Sequence, residues 1–382
     1  MSRPDPAGST LDARAEALVA AYSRAGYARM APAVLQPAEA FLDLSGEDIR
    51  ARMFLTTDAA GNDFCLRPDF TIPVAQAYLA SPNVGTAQAF SYLGPVFRDR
   101  GDGRGEILQA GIESFGRTDI AAADAEMLTL GLEATAHFGL PSPEIRIGDV
   151  GLFSSLVNAL DIAPAWKRRL VKDFNRKTNL TQDLDRLTLG ASNGSSDYQG
   201  VLAALAGSDP KAAHALVTDL LSIAGITTVG GRTVGEIADR FLEQSALGAS
   251  AALPKATRGL IENFLSIAGN PDDALAQLRK LAGDAKIALT PALDLLEMRI
   301  GFLAARGVDV RRVKFASGFG RGMDYYTGFV FEMHDPAARV TGPLVAGGRY
   351  DGMLARLGAK QTIPAVGFSV WIERLANSGA QR

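Results

Sequence analysis

A single cysteine, Cys65, in a chain of 382 residues excludes an internal disulfide and any zinc site built on several thiolates. Histidine is almost as scarce, and His137, His214 and His334 are too scattered to suggest a metal cluster, so neither metal nor cofactor is expected. Long apolar runs are missing. No uninterrupted stretch reaches the roughly 20 residues of a bilayer span, and the leading MSRPDPAGSTLDARAE has no apolar segment like that of a signal peptide, so a reducing cytoplasm is the expected location. Runs of Lys or Arg are missing too. With a formal net charge of −3 the chain lacks the usual electrostatic footprint of a nucleic-acid binder. What it does have is 47% hydrophobic residues, enough for a substantial core, and a length that suits two domains or one large domain carrying an insertion.

The period of the apolar residues changes along the chain. Leu11, Ala15, Leu18, Val19 and Tyr22 recur at helical spacing, with Ser9 or Thr10 as candidate N-cap. MFLTTDAAGNDFCLRPD reads as two short strands joined by a turn at Gly61-Asn62-Asp63. AQAFSYLGPVFRDR and EILQAGIESFG read as a second antiparallel pair around the loop RGDGRGE. A helix over AAADAEMLTLGLEATAHFG and a strand at EIRIGD follow. Residues 151–305 are Ala/Leu-rich with helical periodicity and are assigned to a mainly helical insertion. Strands return in VKFASG, TGFVFEMHD and AVGFSV. Strand-rich segments at both ends, 1–150 and 306–382, predict an α+β core with an antiparallel sheet assembled from both ends.

Three strand-associated segments carry polar residues where a core strand would not place them: LRPDFT, FRDRGDGRGEILQAGIE and RGMDYY. By the two-residue period, Gln109, Gly111 and Glu113 share one face, with Gly111 expected to leave open space between them. Asp69 and Glu113 suit an ammonium group, Gln109 both donates and accepts, and Arg98 or Arg321 suits the forked recognition of a carboxylate or phosphate. Together they describe a zwitterion, hence an amino acid. Each residue also has a plainer reading. Asp69 alone is a helix cap, and Gln109 and Glu113 are equally the solvated face of an edge strand. Arg100 and Arg104 read as an exposed charged turn, and Gly347 and Gly348 as turn formers. Tyr325 and Tyr326 read as half-buried sheet residues which, in an extended segment, cannot both face one core. Other chemistries lack support: AGGRYDGM and GRGEILQAG fit neither a P-loop nor a dinucleotide fingerprint, and the serines of LFSSL and SNGSSD have no nucleophile elbow or histidine partner.

Taken in order, the segments resemble a class II aminoacyl-tRNA synthetase core of the histidyl-tRNA synthetase pattern. LRPDFTIPVAQAY resembles that family's Leu-Arg-Pro-Glu-x-Thr stretch, and YLGPVFRDR with LQAGIESFG its motif 2. RGMDYYTGFVFE resembles its second histidine-recognition motif, LVAGGRYDGMLARLG the segment after it, and PAVGFSVWIERL its motif 3. The likeness covers most of residues 10–150 and 310–376 in shared order. It implies histidine binding by Asp69, Thr71, Gln109, Glu113, Arg321, Tyr325 and Tyr326, with Arg98 beside them. Four departures matter. The chain ends at Arg382, a few residues after motif 3, so an anticodon-binding domain and tRNA are not expected. Ser369-Val370-Trp371 stands where a glycine-rich stretch admits ATP, so the indole is expected to obstruct a nucleotide; the loop between Arg98 and Gln109 is short, and Asp69 replaces Glu.

That combination is similar to the ATP phosphoribosyltransferase regulatory subunits. The resemblance implies a non-catalytic chain that activates the short-form catalytic subunit and carries histidine feedback inhibition in the first step of histidine biosynthesis. It further implies a hetero-octamer, self-association through the class II-like core, L-histidine as ligand and no membrane. The alternatives are an enzyme that activates histidine with ATP for a protein or minimal RNA acceptor, with Arg98, Arg321 and Arg374 in its favour, and a scaffold with a vestigial pocket.

Overall fold

The computed structural model describes residues 6–101, 103, 105–174, 176–189, 215, 218–219, 228–229, 232–233 and 252–379. In chain order, helix α1 (Pro6–Arg24) leads to strands β1 (Ala28–Arg29) and β2 (Leu35–Pro37), then helices α2 (Glu39–Leu44) and α3 (Glu47–Arg50). Strands β3 (Leu55–Thr57) and β4 (Asp63–Leu66) precede α4 (Thr71–Leu79), β5 (Gln88–Phe97), β6 (Glu106–Phe115), α5 (Ile120–His137), β7 (Glu144–Asp149) and α6 (Val150–Ala159). Next come α7 (Pro164–Asp173), α8 (Lys177–Leu189), the short pair β8 (Thr228–Val229) and β9 (Arg232–Thr233), and α9 (Lys255–Ser266). The chain returns through β10 (Ala268–Gly269), α10 (Pro271–Asp284), α11 (Thr290–Ala305), β11 (Val313–Ala316), β12 (Phe329–His334), β13 (Val345–Arg349), α12 (Met353–Arg356), β14 (Ala365–Trp371) and α13 (Ile372–Gly379).

Nine strands form one sheet in the order β1-β5-β6-β14-β13-β12-β7-β11-β10. Its middle is antiparallel, while β1 with β5 and β7 with β11 pair in parallel, so the α+β architecture is present with a mixed sheet. β2, β4 and β3 form a separate antiparallel sheet. In its β3–β4 turn Asp58 accepts from the Ala60 and Asn62 amides, and Gly61 takes a positive φ of 88°. Helix α1 starts at Pro6, so Ser9 and Thr10 lie inside it and not at its N-cap position; Ala15, Leu18, Val19 and Tyr22 form its buried stripe.

Contacts divide the chain into one unit of residues Met1–Ser155 and Phe264–Arg382 and another of Leu156–Asn263. The second unit is narrower than the expected 151–305 insertion, because residues 264–305 belong with the sheet. β10 pairs with β11, Ser317 donates to the Ile267 carbonyl at 3.1 Å, and α11 lies along α5. Helical periodicity alone cannot tell a helix inserted between strands from one packed on them. Within the second unit, Arg169 on α7 donates from Nε to Asp183 on α8 at 2.7 Å, and Arg258 pairs with Asp185 at 2.8 Å.

One face of the sheet receives α5 across β12, β13 and β14, with Met333 and Val345 against Gly131 of the helix, and carries a buried ion network. Arg299 of α11 donates to Asp124 of α5 and Asp149 of β7, each at 2.9 Å. Arg349 of β13 reaches Asp124 at 2.8 Å and Asp351 at 2.9 Å. Asp351 in turn accepts from the Ala365 amide at 2.8 Å. These charges tie two helices, two strands and the turn after β13 together, and leave the opposite face for a different purpose.

Candidate functional site

Register defines that opposite face. Glu113, Gly111 and Gln109 of β6 stand opposite Phe90, Tyr92 and Gly94 of β5, and opposite Gly367, Ser369 and Trp371 of β14. Ser369 and Gly367 adjoin Ala346 and Gly348 of β13, which adjoin Glu332 and Val330 of β12. Directly opposed residues share a face, so all of these side chains project to one side. Two connections cover them: residues 67–71 leading into α4, and residues 317–328 leading into β12.

Most of the expected site residues come together here, buried. β6 lies between β5 and β14, so the edge-strand reading of Gln109 and Glu113 fails: they are 0% and 1% exposed. Glu113 accepts from Thr71 Oγ1 at 2.7 Å and from the Tyr350 hydroxyl, and the Tyr92 hydroxyl lies 3.4 Å from its Oε1. Burial nonetheless pushes its carboxyl from 4.5 up to about 8; the three hydroxyls pull it down, and the charge of Asp69 adds to the rise. Asp69 is buried as well. Its Oδ1 accepts from the Ile72 amide at 3.3 Å in the first turn of α4, whose N-cap position is Phe70, while Oδ2 has no hydrogen-bond partner among the described residues. Burial raises the Asp69 carboxyl and the Arg98 guanidinium opposes that rise. Among the described residues, neither amide atom of the buried Gln109 has a hydrogen-bond partner.

Arg98 donates from Nε to the Pro68 carbonyl at 2.7 Å, and burial lowers its pKa against the opposing pull of Asp69. Arg321 donates from Nε to Glu332 at 3.2 Å and from Nη1 to the Tyr326 hydroxyl. Tyr325 and Tyr326 are not strand residues. The chain turns at Asp324–Tyr325 before β12 begins, so alternation does not apply, and the two rings lie 4.8 Å apart between centroids. Both also meet Tyr350, at 5.7 and 6.5 Å. Tyr325 donates to Met323 Sδ at 3.0 Å.

Other expectations need correction. The position above Gly111 is not open, since an added Cβ would lie 2.2 Å from the Phe368 carbonyl and 2.3 Å from the Tyr92 hydroxyl. Glycine there admits the tyrosine, and the room for Glu113 comes from Gly367, where a Cβ would lie 1.8 Å from its Oε2. Gly347 and Gly348 lie in β13 and not in a turn; at Gly348 a Cβ would approach the Tyr326 ring to 3.0 Å. Arg67 is structural, stacking at 4.0 Å on Phe70 and donating to the Pro95 carbonyl at 2.9 Å. Arg100 is exposed, and Arg104 lies outside the described residues. Trp371 is buried beside Gln109 on the site face, with the Arg374 guanidinium 5.3 Å from its ring centre. Among the described residues no group of His, Cys, Asp and Glu is placed to hold a metal ion, and no helix is long and apolar enough to cross a membrane.

Tyr92 and Tyr350 are site residues that the polarity of individual segments did not single out. Tyr92 looks like any aromatic strand residue, and Tyr350 is marked only by its place after the paired glycines. Both matter through their hydroxyls, which together with Thr71 leave Glu113 hydrogen-bonded but, among the described residues, without a basic partner. Chemically, the result is two buried carboxylates, an unengaged amide, two arginines and four tyrosines. That set suits a small zwitterion with an aromatic or heteroaromatic side chain.

The chain matches the histidyl-tRNA synthetase family model over residues 5–230 and 214–375. The ATP phosphoribosyltransferase regulatory subunits of Brucella canis and Brucella suis are each 38% identical to it over 343 residues, or 90% of this chain and 90% of theirs. Among solved structures, an ATP phosphoribosyltransferase regulatory subunit/histidyl-tRNA synthetase from Bacillus halodurans covers 99% of this chain and 81% of its own, with a TM-score of 0.68 at 22% identity, a likeness of fold. A histidine–tRNA ligase subunit from Alicyclobacillus acidocaldarius covers 99% and 95%, with a TM-score of 0.59 at 25% identity.

Proposed function

The chain belongs to the ATP phosphoribosyltransferase regulatory subunit family, and from that premise we propose that it binds L-histidine in the site above and transmits feedback inhibition to a short-form catalytic subunit that it also activates. The reading rests chiefly on one observation: among the described residues, Asp69 Oδ2 and both ends of the Gln109 amide are buried without hydrogen-bond partners, in a site that also holds tyrosine rings and arginines. A buried polar group without a partner costs about 1–3 kcal/mol, and a ligand that completes it recovers that cost. The ligand's ammonium goes to Asp69 and Gln109, with Glu113 adding charge from behind its hydroxyls once it ionises. Its carboxylate goes to Arg98 and Arg321, and its imidazole lies among Tyr325, Tyr326 and Tyr350.

The regulatory chain works in the cytoplasm, within a hetero-octamer built on self-association through the class II-like core. Histidine acts by binding one quaternary state more tightly, and it shifts the population by no more than that difference in affinity. Trp371 supports a non-catalytic role, because an indole buried beside Gln109 fills the side of the sheet where a nucleotide would approach. Calorimetric titration tests the binding: histidine should bind, and leucine, which has the same ammonium and carboxylate but no ring nitrogens for the polar groups around the side chain, should be rejected by as much as ~10⁴-fold. Assay of a short-form catalytic subunit with and without this chain and histidine tests the regulation. Robust histidine-dependent ATP–pyrophosphate exchange would instead establish the activating enzyme.

A further inference from the structure

Arg321 is held by a residue outside every candidate motif role. Of the five N–H donors of a guanidinium, Nε goes to Glu332 and one on Nη1 to Tyr326, while Nη2 has no acceptor among the described residues. Arg98 is close enough for the charge of Arg321 to act on it, so two guanidinium groups share the site and repel each other. Glu332 is the carboxylate that offsets this. It stands on the site face of β12, where Ala346 on one side offers it no competing polar group. On the other side it faces Arg146 of β7, which is committed to Glu144 at 2.6 Å. Its second oxygen lies 2.9 Å from His334 Nε2, two residues along the same face. Burial opposes ionisation of Glu332, yet His334 and Arg321 together hold its carboxyl below the usual range.

We propose that Glu332 is a positioning residue that aims the Arg321 guanidinium at the ligand's carboxylate, and that His334 braces Glu332 from the outer end of β12. The proposal rests on the histidine-binding reading above. Without Glu332, the long side chain of Arg321 regains its rotamer freedom and swings away from Arg98, so only a ligand that carries a carboxylate registers the loss.

The test is calorimetric titration of the full chain with histidine and with histidinol, its alcohol analogue without the carboxylate. Glu332→Ala should weaken histidine about tenfold or more, the weight of a charge-assisted hydrogen bond, and leave histidinol within about twofold. Glu332→Gln, whose carbonyl still accepts from Nε, should restore histidine to within about threefold of wild type. His334→Ala should weaken histidine alone, by roughly threefold, and it decides the matter if Glu332→Ala does not fold. Equal losses for both ligands, no loss for either, or a Gln variant no better than Ala would overturn the positioning role while histidine binding stood. A wild-type chain that binds neither compound would overturn both.

Discussion

Replacing Glu113 by glutamine tests the electrostatics of the site most directly. The carboxyl sits near 8 in the folded chain against 4.5 as an ordinary glutamate, chiefly through burial. At about 1.4 kcal/mol per pH unit, holding it ionised in the fold costs roughly 5 kcal/mol. The sign follows from the raised value. Below pH 4.5 the group is protonated in both states and costs nothing; as pH climbs toward 8 the unfolded chain ionises freely and the folded one does not, so stability falls through that window. Glu113→Gln keeps the shape and cannot ionise. Urea unfolding of both proteins between about pH 5 and pH 8.5 should therefore show the variant gaining on wild type by up to ~1.4 kcal/mol per unit, while the buried carboxyls remote from Glu113 contribute alike to both. Histidine adds a second readout. Its ammonium favours the ionised carboxylates, so wild-type affinity should rise with pH by up to about tenfold per unit below 8, with release of about one proton, and the variant should lack that slope. Parallel pH curves for the two proteins, with and without histidine, would refute this account.

Asp124→Ala leaves Arg299 and Arg349 buried without their shared carboxylate, and should cost about 3–5 kcal/mol in urea unfolding; a loss below ~1 kcal/mol would mean that Asp149 and Asp351 suffice. Gly111→Ala drives a methyl into the Phe368 carbonyl and the Tyr92 hydroxyl, and should destabilise by about 2 kcal/mol or more, with a matching fall in midpoint. Trp371→Gly clears the side of the sheet beside Gln109 and should give measurable ATP binding by nucleotide fluorescence; unchanged binding would show that the indole is not the obstruction.

The pairing of β5 with β6 across the RGDGRGE loop, and of β3 with β4 around Gly61, was legible because alternation and turn residues act over a few positions. The candidate site was legible for a related reason: Asp69, Glu113 and Arg321 are costly residues to bury, and their segments are bounded by strand patterns. Tyr325 and Tyr326 were assigned to the site through a likeness of motif, whereas their geometry was misread, since alternation holds only in an extended chain and theirs turns. The limits of the second unit escaped periodicity, because α10 and α11 have the same helical pattern wherever they dock.

By itself, then, the sequence determined the local elements, the α+β class and the set of polar residues that must find partners, since these follow from short-range sterics and from the cost of burying charge. Tertiary structure alone decided which partner each one found. Tyr92 and Tyr350 meet Glu113, Glu332 turns from Arg146 to Arg321, and Asp124 bridges two arginines, because strand register across the sheet places residues far apart in the chain within hydrogen-bond reach. No spacing along the chain encodes those distances. The closed position over Gly111 has the same origin: a glycine reads as space in sequence, and what fills it is set by the strands on either side.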